Sequence, residues 1–188
     1  MNFNSHSELR GVPPHALLSP SNYHWINYDE DKMARVFFTQ MAARRGTELH
    51  EFAQRAIRLE VRLPNTSKTL NRYINDAIGY RMTPEQILFY SENCYGTTDA
   101  IRFSNNLLRI HDLKTGHNEA SMTQLEVYMA LFCLEYRFKP FDIKGELRIY
   151  QNDEVRVHIP DPDSIFHIMD KIKTFDKQIK MLRMEGPF

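Results

Sequence analysis

Two aspartates and a lysine stand where a predicted β-hairpin would bring them together. Asp99 and Asp112 lie equally far in sequence from Asn105-Asn106, which suits a two-residue hairpin turn because asparagine tolerates positive φ. With that turn the two aspartates face each other, and Lys114 shares the face of Asp112 because side chains alternate along a strand. A three-residue loop would break this register, so the prediction depends on the turn.

Facing carboxylates with a lysine beside them are the components of a metal-dependent hydrolytic site. Like charges opposite each other destabilise a sheet, and a divalent cation between them would offset the repulsion. Oxygen ligands favour Mg²⁺ or Mn²⁺, which can activate a bound water and offset negative charge on a phosphate. Lys114 could orient or help to deprotonate that water, or stabilise developing charge. The simpler interpretation is an exposed ion pair, since Asp-x-Lys triplets occur by chance in many proteins.

Hydrophobic periodicity predicts the elements that must position these residues. Helices are predicted at residues 31–59, 67–80, 119–138 and 163–184, and strands at 86–92, 95–104, 107–113, 142–151 and 154–159. Residues 1–28 contain three prolines and no clear period, so they are predicted to be extended. The buried side of the last helix is predicted to carry Ile165, Ile168, Ile172, Phe175, Ile179 and Leu182. The order α-α-β-β-β-α-β-β-α predicts an α/β fold with a mixed β-sheet flanked by helices.

Four short segments carry these residues and further polar side chains. They are Gly46-Thr-Glu-Leu-His50-Glu, Gly96-Thr-Thr-Asp99-Ala-Ile, His111-Asp112-Leu-Lys114-Thr-Gly116 and Gln124-Leu-Glu-Val-Tyr128. In this order, on a helix, two strands and the next helix, they resemble the RecB-type branch of the PD-(D/E)XK nuclease superfamily. Leu18-Ser-Pro-Ser21 is similar to a lead-in common in such domains. The resemblance covers residues 18–136 and implies a single nuclease domain, placed at residues 29–188.

The resemblance implies a set of metal ligands and a catalytic lysine. His50, Asp99 and Asp112 would ligate Mg²⁺ or Mn²⁺ together with the backbone carbonyl of Leu113, and Lys114 would be the catalytic lysine. Taken alone, His50 flanks the apolar stripe of its helix, where a histidine is more often a core or surface residue.

Gln124 and Tyr128 would line the same site and contact DNA or hold Lys114, because residues four apart share a helical face. Ser121-x-x-Gln124 also fits a capping box, and a tyrosine on an amphipathic helix is usually core. Gly46, one turn before His50, would let another element approach closely. Glu51 is a further candidate ligand, although it points about 100° round the helix from His50.

Charge and cysteine content limit the classes of function. With 24 basic and 24 acidic residues the formal net charge is zero, which argues against a protein that holds nucleic acid by bulk charge alone. Cys94 and Cys133 cannot provide the four ligands of the iron–sulfur cluster that some relatives carry, so no cluster is expected. The sequence has neither a signal-peptide pattern nor an apolar run of the ~20 residues that span a membrane. A cytoplasmic protein is expected, in the bacterial host cytoplasm if the chain is phage-encoded.

Several basic residues are candidates for the DNA path. Arg44 and Arg45, one turn from His50, are best placed in the sequence to meet a phosphate. Further candidates that cannot be ranked are Arg72, Arg81 and Arg102. The basic residues of the last helix are interpreted as a solvated face, because acidic residues are interleaved among them: Lys171, Lys173, Lys177, Lys180 and Arg183.

The predicted function is a metal-dependent DNA nuclease, an exonuclease in phage-type DNA recombination, replication or repair. Its partners would be DNA and a recombination or single-strand-binding protein, with no membrane; the oligomeric state stays open. One alternative is a structure-specific endonuclease or nickase of the same fold. Others are a non-cleaving DNA- or protein-binding module on a nuclease fold, and a structural or inhibitory protein.

Overall fold

The computed structural model describes residues 16–186, which fall into two compact units divided between Arg45 and Gly46. In the first unit, a 3-10 helix at Pro20–Asn27 precedes helix α1 (Glu30–Arg58), which continues into the second unit. The lack of an apolar period predicts extended chain over residues 1–28, whereas the structure has this 3-10 helix over part of that range; residues 1–15 lie outside the described residues. The 3-10 helix forms because Ser19 caps it and because the fixed φ of Pro20 suits a first helical position.

The second unit is built on a five-stranded mixed sheet with strand order β1-β2-β3-β4-β5. The strands are β1 (Thr83–Ser91), β2 (Cys94–Ser104), β3 (Leu107–Leu113), β4 (Lys144–Gln151) and β5 (Glu154–His158). The helices are α2 (Thr69–Gly79), α3 (Thr123–Tyr136) and α4 (Pro162–Glu185). Strands β3 and β4 are parallel and joined through α3, whereas the other neighbours are antiparallel. The predicted mixed α/β class and element order are confirmed.

Helices cover both faces of the sheet, and each face has its own core. On one face α3 and α4 pack over the sheet, with buried side chains that include Ile110, Leu125, Met129, Leu147 and Ile165. On the other face α2 and residues 46–58 of α1 form a second core, which includes Ala53, Ile57, Tyr73, Ala77 and Leu113. The sheet is therefore the middle layer of three, and the apolar periods of the helices explain which side each helix buries.

The two predicted hairpin turns are present. Asn105 and Asn106 have φ values of 53° and 57°, and the pairs run from Ser104↔Leu107 to Ala100↔His111. Asn152-Asp153 makes the second turn, with φ values of 52° and 60°. Positive φ at both central residues gives the twist that matches two antiparallel strands. The register on which the facing aspartates depend is therefore the predicted one.

Helix α4 buries less of its apolar stripe than predicted. Ile165 is buried and Ile168 and Ile172 are half-buried, but Phe175, Ile179 and Leu182 are exposed. In the second half of α4, from Phe175 onward, a polar residue makes the buried contacts with the rest of the chain. Asp176, 6% exposed, accepts hydrogen bonds from Ser91 Oγ at 2.6 Å and from Asn93 Nδ2 at 2.8 Å. The apolar periodicity predicted the helix correctly. It did not predict that Asp176 would hold the second half of α4 against Ser91 and Asn93.

Candidate metal centre

Three side chains from three elements converge near the start of the β2–β3 pairing. His50 comes from α1, Glu85 from β1 and Asp99 from β2, and one potential ligand atom of each lies within 4.8 Å of the other two. We call these three residues the triad. His50 Nδ1 lies 3.4 Å from Asp99 Oδ2, and all three residues are half-buried. One imidazole nitrogen and two carboxylates are a donor set that suits a divalent cation.

The backbone of Glu85 departs from ordinary strand geometry. Its φ of 52° is unusual for a residue with a side chain, and costs of order 1–3 kcal/mol. The pairs Pro84↔Ala100 and Gln86↔Thr98 flank it, so Glu85 stands opposite Asp99 without forming a regular pair. The distortion falls at the residue that completes the triad, which is where strain of functional origin is usually found.

The charges within the triad shift the pKa values of its members. Burial, and then the nearby charge of Asp99, raises the pKa of Glu85. The pKa of His50 is raised mainly by its hydrogen bond to Asp99, although burial acts in the opposite direction. The charges of Asp99, Asp112 and Glu85 raise it further. The site therefore favours a positive charge, either a proton on His50 or a bound cation.

Asp112 and Lys114 form an ion pair beside the triad. Asp112 is only 3% exposed, and its pKa is raised by burial and then by the charge of Asp99. Lys114 Nζ donates a hydrogen bond to Asp112 Oδ1 at 3.2 Å and lies 3.0 Å from Oδ2. The angle to Oδ2 does not suit a hydrogen bond, so that buried oxygen has no hydrogen-bond partner among the described residues. Both oxygens of this carboxylate therefore lie within 3.2 Å of the Lys114 ammonium group, which offsets their negative charge.

Lys114 is also held from helix α3. Gln124 Oε1 accepts a hydrogen bond from Lys114 Nζ at 2.9 Å, and Gln124 Nε2 lies 3.4 Å from the hydroxyl of Tyr128. The Tyr128 hydroxyl in turn donates to the carbonyl of Thr97 at 2.6 Å. Gly96 permits this approach, since a Cβ there would lie 3.0 Å from Tyr128 Cε1. Gln124 makes no capping hydrogen bond, so the capping-box alternative does not apply.

The predicted ligand set and the observed triad overlap in His50 and Asp99. Asp112 is coupled to both by charge but directs its hydrogen bond to Lys114. Leu113 contributes a backbone N–H, which donates to Asp99 Oδ2 at 2.8 Å, while its side chain is buried in a core. The structure therefore brings four of the predicted side chains close to one another, His50, Asp99, Asp112 and Lys114, and adds Glu85, which was not predicted.

The remaining candidates lie in varied surroundings. Gly46 is buried, and a Cβ there would lie 2.9 Å from Thr115 Oγ1, so a close approach is present as predicted. Arg44 and Arg45 are exposed residues of the first unit, and Glu51 is exposed in the second. On α4, three of the basic residues lie within 4.0 Å of an acidic residue: Lys173, Lys180 and Arg183. These ion pairs agree with the interpretation of α4 as a solvated face.

Comparison with known proteins adds no assignment. No protein-family model matches the chain, and neither a curated protein nor a solved structure matches it. Within residues 16–186, no helix combines the length and the apolar character needed to cross a bilayer. The class that fold and site define is a mixed α/β protein with a candidate metal-binding triad.

Proposed function

We propose that the protein is a Mg²⁺- or Mn²⁺-dependent deoxyribonuclease that hydrolyses phosphodiester bonds, acting as an exonuclease in phage-type DNA recombination, replication or repair. One observation carries the proposal: the triad of His50, Glu85 and Asp99 lies beside the ion pair that the buried Asp112 forms with Lys114. The resemblance of four ordered segments to RecB-type nucleases supports DNA as the substrate. That resemblance is also the basis for choosing exonuclease over endonuclease action.

The donors of the site suit the proposed cofactor. Two half-buried carboxylates and one imidazole offer oxygen and nitrogen ligands, and no thiolate lies among them. Oxygen ligands favour Mg²⁺, and an imidazole shifts the preference towards Mn²⁺. A cation held there would lower the pKa of a water molecule and offset negative charge on a phosphate.

In this proposal each residue of the site has a separate role in hydrolysis. Asp99 and Glu85 bind the cation, and His50 does so in its neutral form. Lys114 contacts a phosphate oxygen and stabilises the charge that builds when water attacks phosphorus and the ester oxygen leaves. Asp112 and Gln124 hold the ammonium group of Lys114 between them, so that this stabilising charge is already oriented before substrate binds.

The test is cleavage of end-labelled linear DNA and covalently closed circular DNA in Mg²⁺, Mn²⁺ or EDTA. The variants are Asp99→Asn and Lys114→Met, and the matched controls are Asp142→Asn and Lys177→Met, two exposed residues outside the site. We expect metal-dependent loss of linear DNA only, reduced at least about 100-fold in both site variants and unchanged in both controls.

Other outcomes redirect or reject the proposal. Cutting of the circle would establish an endonuclease or nickase at the same site. Equal activity in the site variants would place the chemistry elsewhere. If no substrate is cut but DNA is still bound, the non-cleaving module becomes the correct function.

A further inference from the structure

A groove of about 1110 Å³ runs through the first unit, between the 3-10 helix and the first half of α1. Trp25 and Tyr28 line one side, and residues of α1 line the other. We call this the aromatic groove. The lining residues on which its chemistry depends are Trp25, Tyr28, Lys32, Met33, Arg35 and Val36.

The two aromatic rings of the groove are held in place. Trp25 Nε1 donates a hydrogen bond to the carbonyl of Ser19 at 3.0 Å. Lys32 Nζ lies 4.3 Å from the centroid of the Tyr28 ring, a cation–π contact that fixes both side chains. Both rings are half-buried. A ligand that stacks on them therefore meets surfaces that are already ordered, which lowers the entropic cost of binding.

The described part of the first unit has few buried side chains. Among residues 16–45, Ser19 alone is buried. Large apolar residues of the unit are exposed on several sides: Leu18, Tyr23, Ile26, Phe37, Phe38 and Met41. Much of the apolar surface of residues 16–45 is therefore in contact with solvent.

The acidic residues of α1 in this unit, Glu30 and Asp31, lie in its first turn, and neither lines the groove. Between Lys32 and Thr47 the sequence contains Lys32, Arg35, Arg44 and Arg45 and no acidic residue, although the whole chain has a net charge of zero. Lys32 and Arg35 both line the groove and are exposed. The groove therefore complements an occupant that combines negative charge with flat, stackable surfaces.

We propose that the aromatic groove binds an unpaired DNA strand, with bases stacked on Trp25 and Tyr28 and phosphates contacted by Lys32 and Arg35. Single strands expose base faces and phosphates together, whereas a duplex keeps its base faces stacked internally. The amide side chains of Asn22 and Gln40, which also line the groove, can contact base edges. This inference rests on the proposed function for its role in catalysis, but strand binding can be measured without cleavage.

Trp25 provides a direct test because it is the single tryptophan of the chain. The full chain in EDTA is titrated with oligo-dT of about 15 nucleotides, a length that covers one binding site. Trp25 fluorescence and the anisotropy of labelled oligo-dT are recorded, with a blunt DNA hairpin and anionic phosphatidylserine vesicles in parallel. We expect saturable quenching by oligo-dT and weaker binding of the hairpin.

Variants assign the binding to the groove. Tyr28→Leu and Trp25→Leu should each weaken oligo-dT binding about tenfold, as expected for removal of one stacking platform. Lys32→Gln with Arg35→Gln should reduce the slope of log affinity against log salt by about 0.7 for each phosphate that the protein no longer neutralises. These two cations are exposed, so their replacement should leave the fold intact even if Trp25→Leu does not. The matched controls, Tyr23→Leu and Lys173→Gln, lie outside the groove and should bind normally.

The outcomes separate this proposal from the proposed nuclease function. Absence of quenching, or equal binding by groove and control variants, overturns the groove proposal even if cleavage is observed. A Trp25 response to vesicles but not to oligo-dT also overturns it and identifies a membrane-surface segment. Quenching that depends on the groove residues supports it, including in a protein that cleaves no DNA, where only the nuclease proposal fails.

Discussion

Asp99 Oδ2 accepts a hydrogen bond from the backbone N–H of Leu113 at 2.8 Å, so a carboxylate carried by β2 is oriented by β3. The same oxygen lies 3.4 Å from His50 Nδ1. The two strands are paired in regular register up to Ala100↔His111, and beyond that pair this hydrogen bond continues their association. The hairpin therefore orients Asp99 within the triad, so changes at Asp99 should affect both the structure and the proposed cation binding.

Glu85→Gln should abolish most of the stabilisation that Mn²⁺ gives to the folded protein. A cation at about 100 times its dissociation constant stabilises the wild type by roughly 2.7 kcal/mol. The amide cannot provide the anionic ligand, so thermal unfolding of the variant should respond to Mn²⁺ less than half as much. In EDTA its stability should equal or exceed that of wild type, because the repulsion from Asp99 is removed.

The matched control for this measurement is Glu154→Gln, an exposed glutamate on β5. Its unfolding temperature should rise with Mn²⁺ as that of the wild type does. An undiminished Mn²⁺ response in Glu85→Gln would remove this residue from the ligand set and return the site to the ligands predicted from sequence.

Gln124→Ala should lower the rate of the chemical step and leave stability unchanged. Gln124 is exposed, and truncation of an exposed side chain usually changes the free energy of unfolding by no more than about 0.5 kcal/mol. Lys114 would keep Asp112 as a partner but would no longer have the 2.9 Å hydrogen bond that holds it from α3. We expect kcat to fall roughly 10-fold or more with little change in KM.

Gln178→Ala, an exposed glutamine on α4, is the control for truncation of a helical side chain. Single-turnover cleavage and urea unfolding are measured on both variants. Two results would show that Gln124 does not position Lys114. One is an unchanged cleavage rate, and the other is a loss of unfolding free energy large enough to account for the whole loss of rate.

The β2–β3 register, whose last pair Ala100↔His111 lies next to Asp99 and Asp112, could be predicted because the turn is encoded locally. Asn105 and Asn106 adopt positive φ at low cost, and alternation along each strand then places the aspartates and Lys114. Helix and strand positions could be predicted for the same reason, since apolar periodicity is a local property. The burial of α4 side chains depends on the surfaces of this chain against which the helix packs. The apolar period of the helix itself contains no information about those surfaces.

Glu85 could not be predicted by the same argument. In the structure β1 and β2 are joined by a turn at Glu92-Asn93, and equal distances from this turn would pair Asp99 with Gln86 rather than with Glu85. The structure contains a register shift between Phe89 and Ser91, and beyond it the pairs include Gln86↔Thr98, which puts Glu85 opposite Asp99. A bulge of this kind depends on tertiary packing, so the residue that completes the triad was hidden by a one-residue slip.

Asp176→Asn should destabilise the protein at neutral pH and have no effect in strong acid. Hydrogen bonds from Lys180, Ser91 and Asn93 lower the pKa of Asp176 to about 2. A depressed pKa means that the stabilisation is complete above the ordinary aspartate pKa of about 3.9 and is lost as pH falls through the folded value. The stability difference between wild type and variant should therefore shrink between about pH 4 and pH 2.

Urea unfolding followed by circular dichroism at several pH values measures this difference. Asp170→Asn, an exposed aspartate on the same helix, is the control and should show little difference from wild type at any pH. A stability difference for Asp176→Asn that stays constant down to pH 2 would mean that the charge of Asp176 does not fasten α4 to the β1–β2 turn.

Gly145→Ala should destabilise the sheet where β4 passes beneath α3. A Cβ at this position would lie 2.6 Å from Met129 Sδ and 2.7 Å from Pro160 Cγ, closer than packed atoms approach. Met129 can change rotamer, but the ring of Pro160 cannot, so we expect a loss of about 1–3 kcal/mol by overpacking.

Gly79→Ala is the contrasting variant, because a Cβ at the end of α2 would meet its nearest atom at 3.9 Å. Its stability should rise by up to about 1 kcal/mol through helix propensity. Equal stability of the two variants in urea unfolding would show that the packing between β4 and Pro160 is looser than these distances indicate.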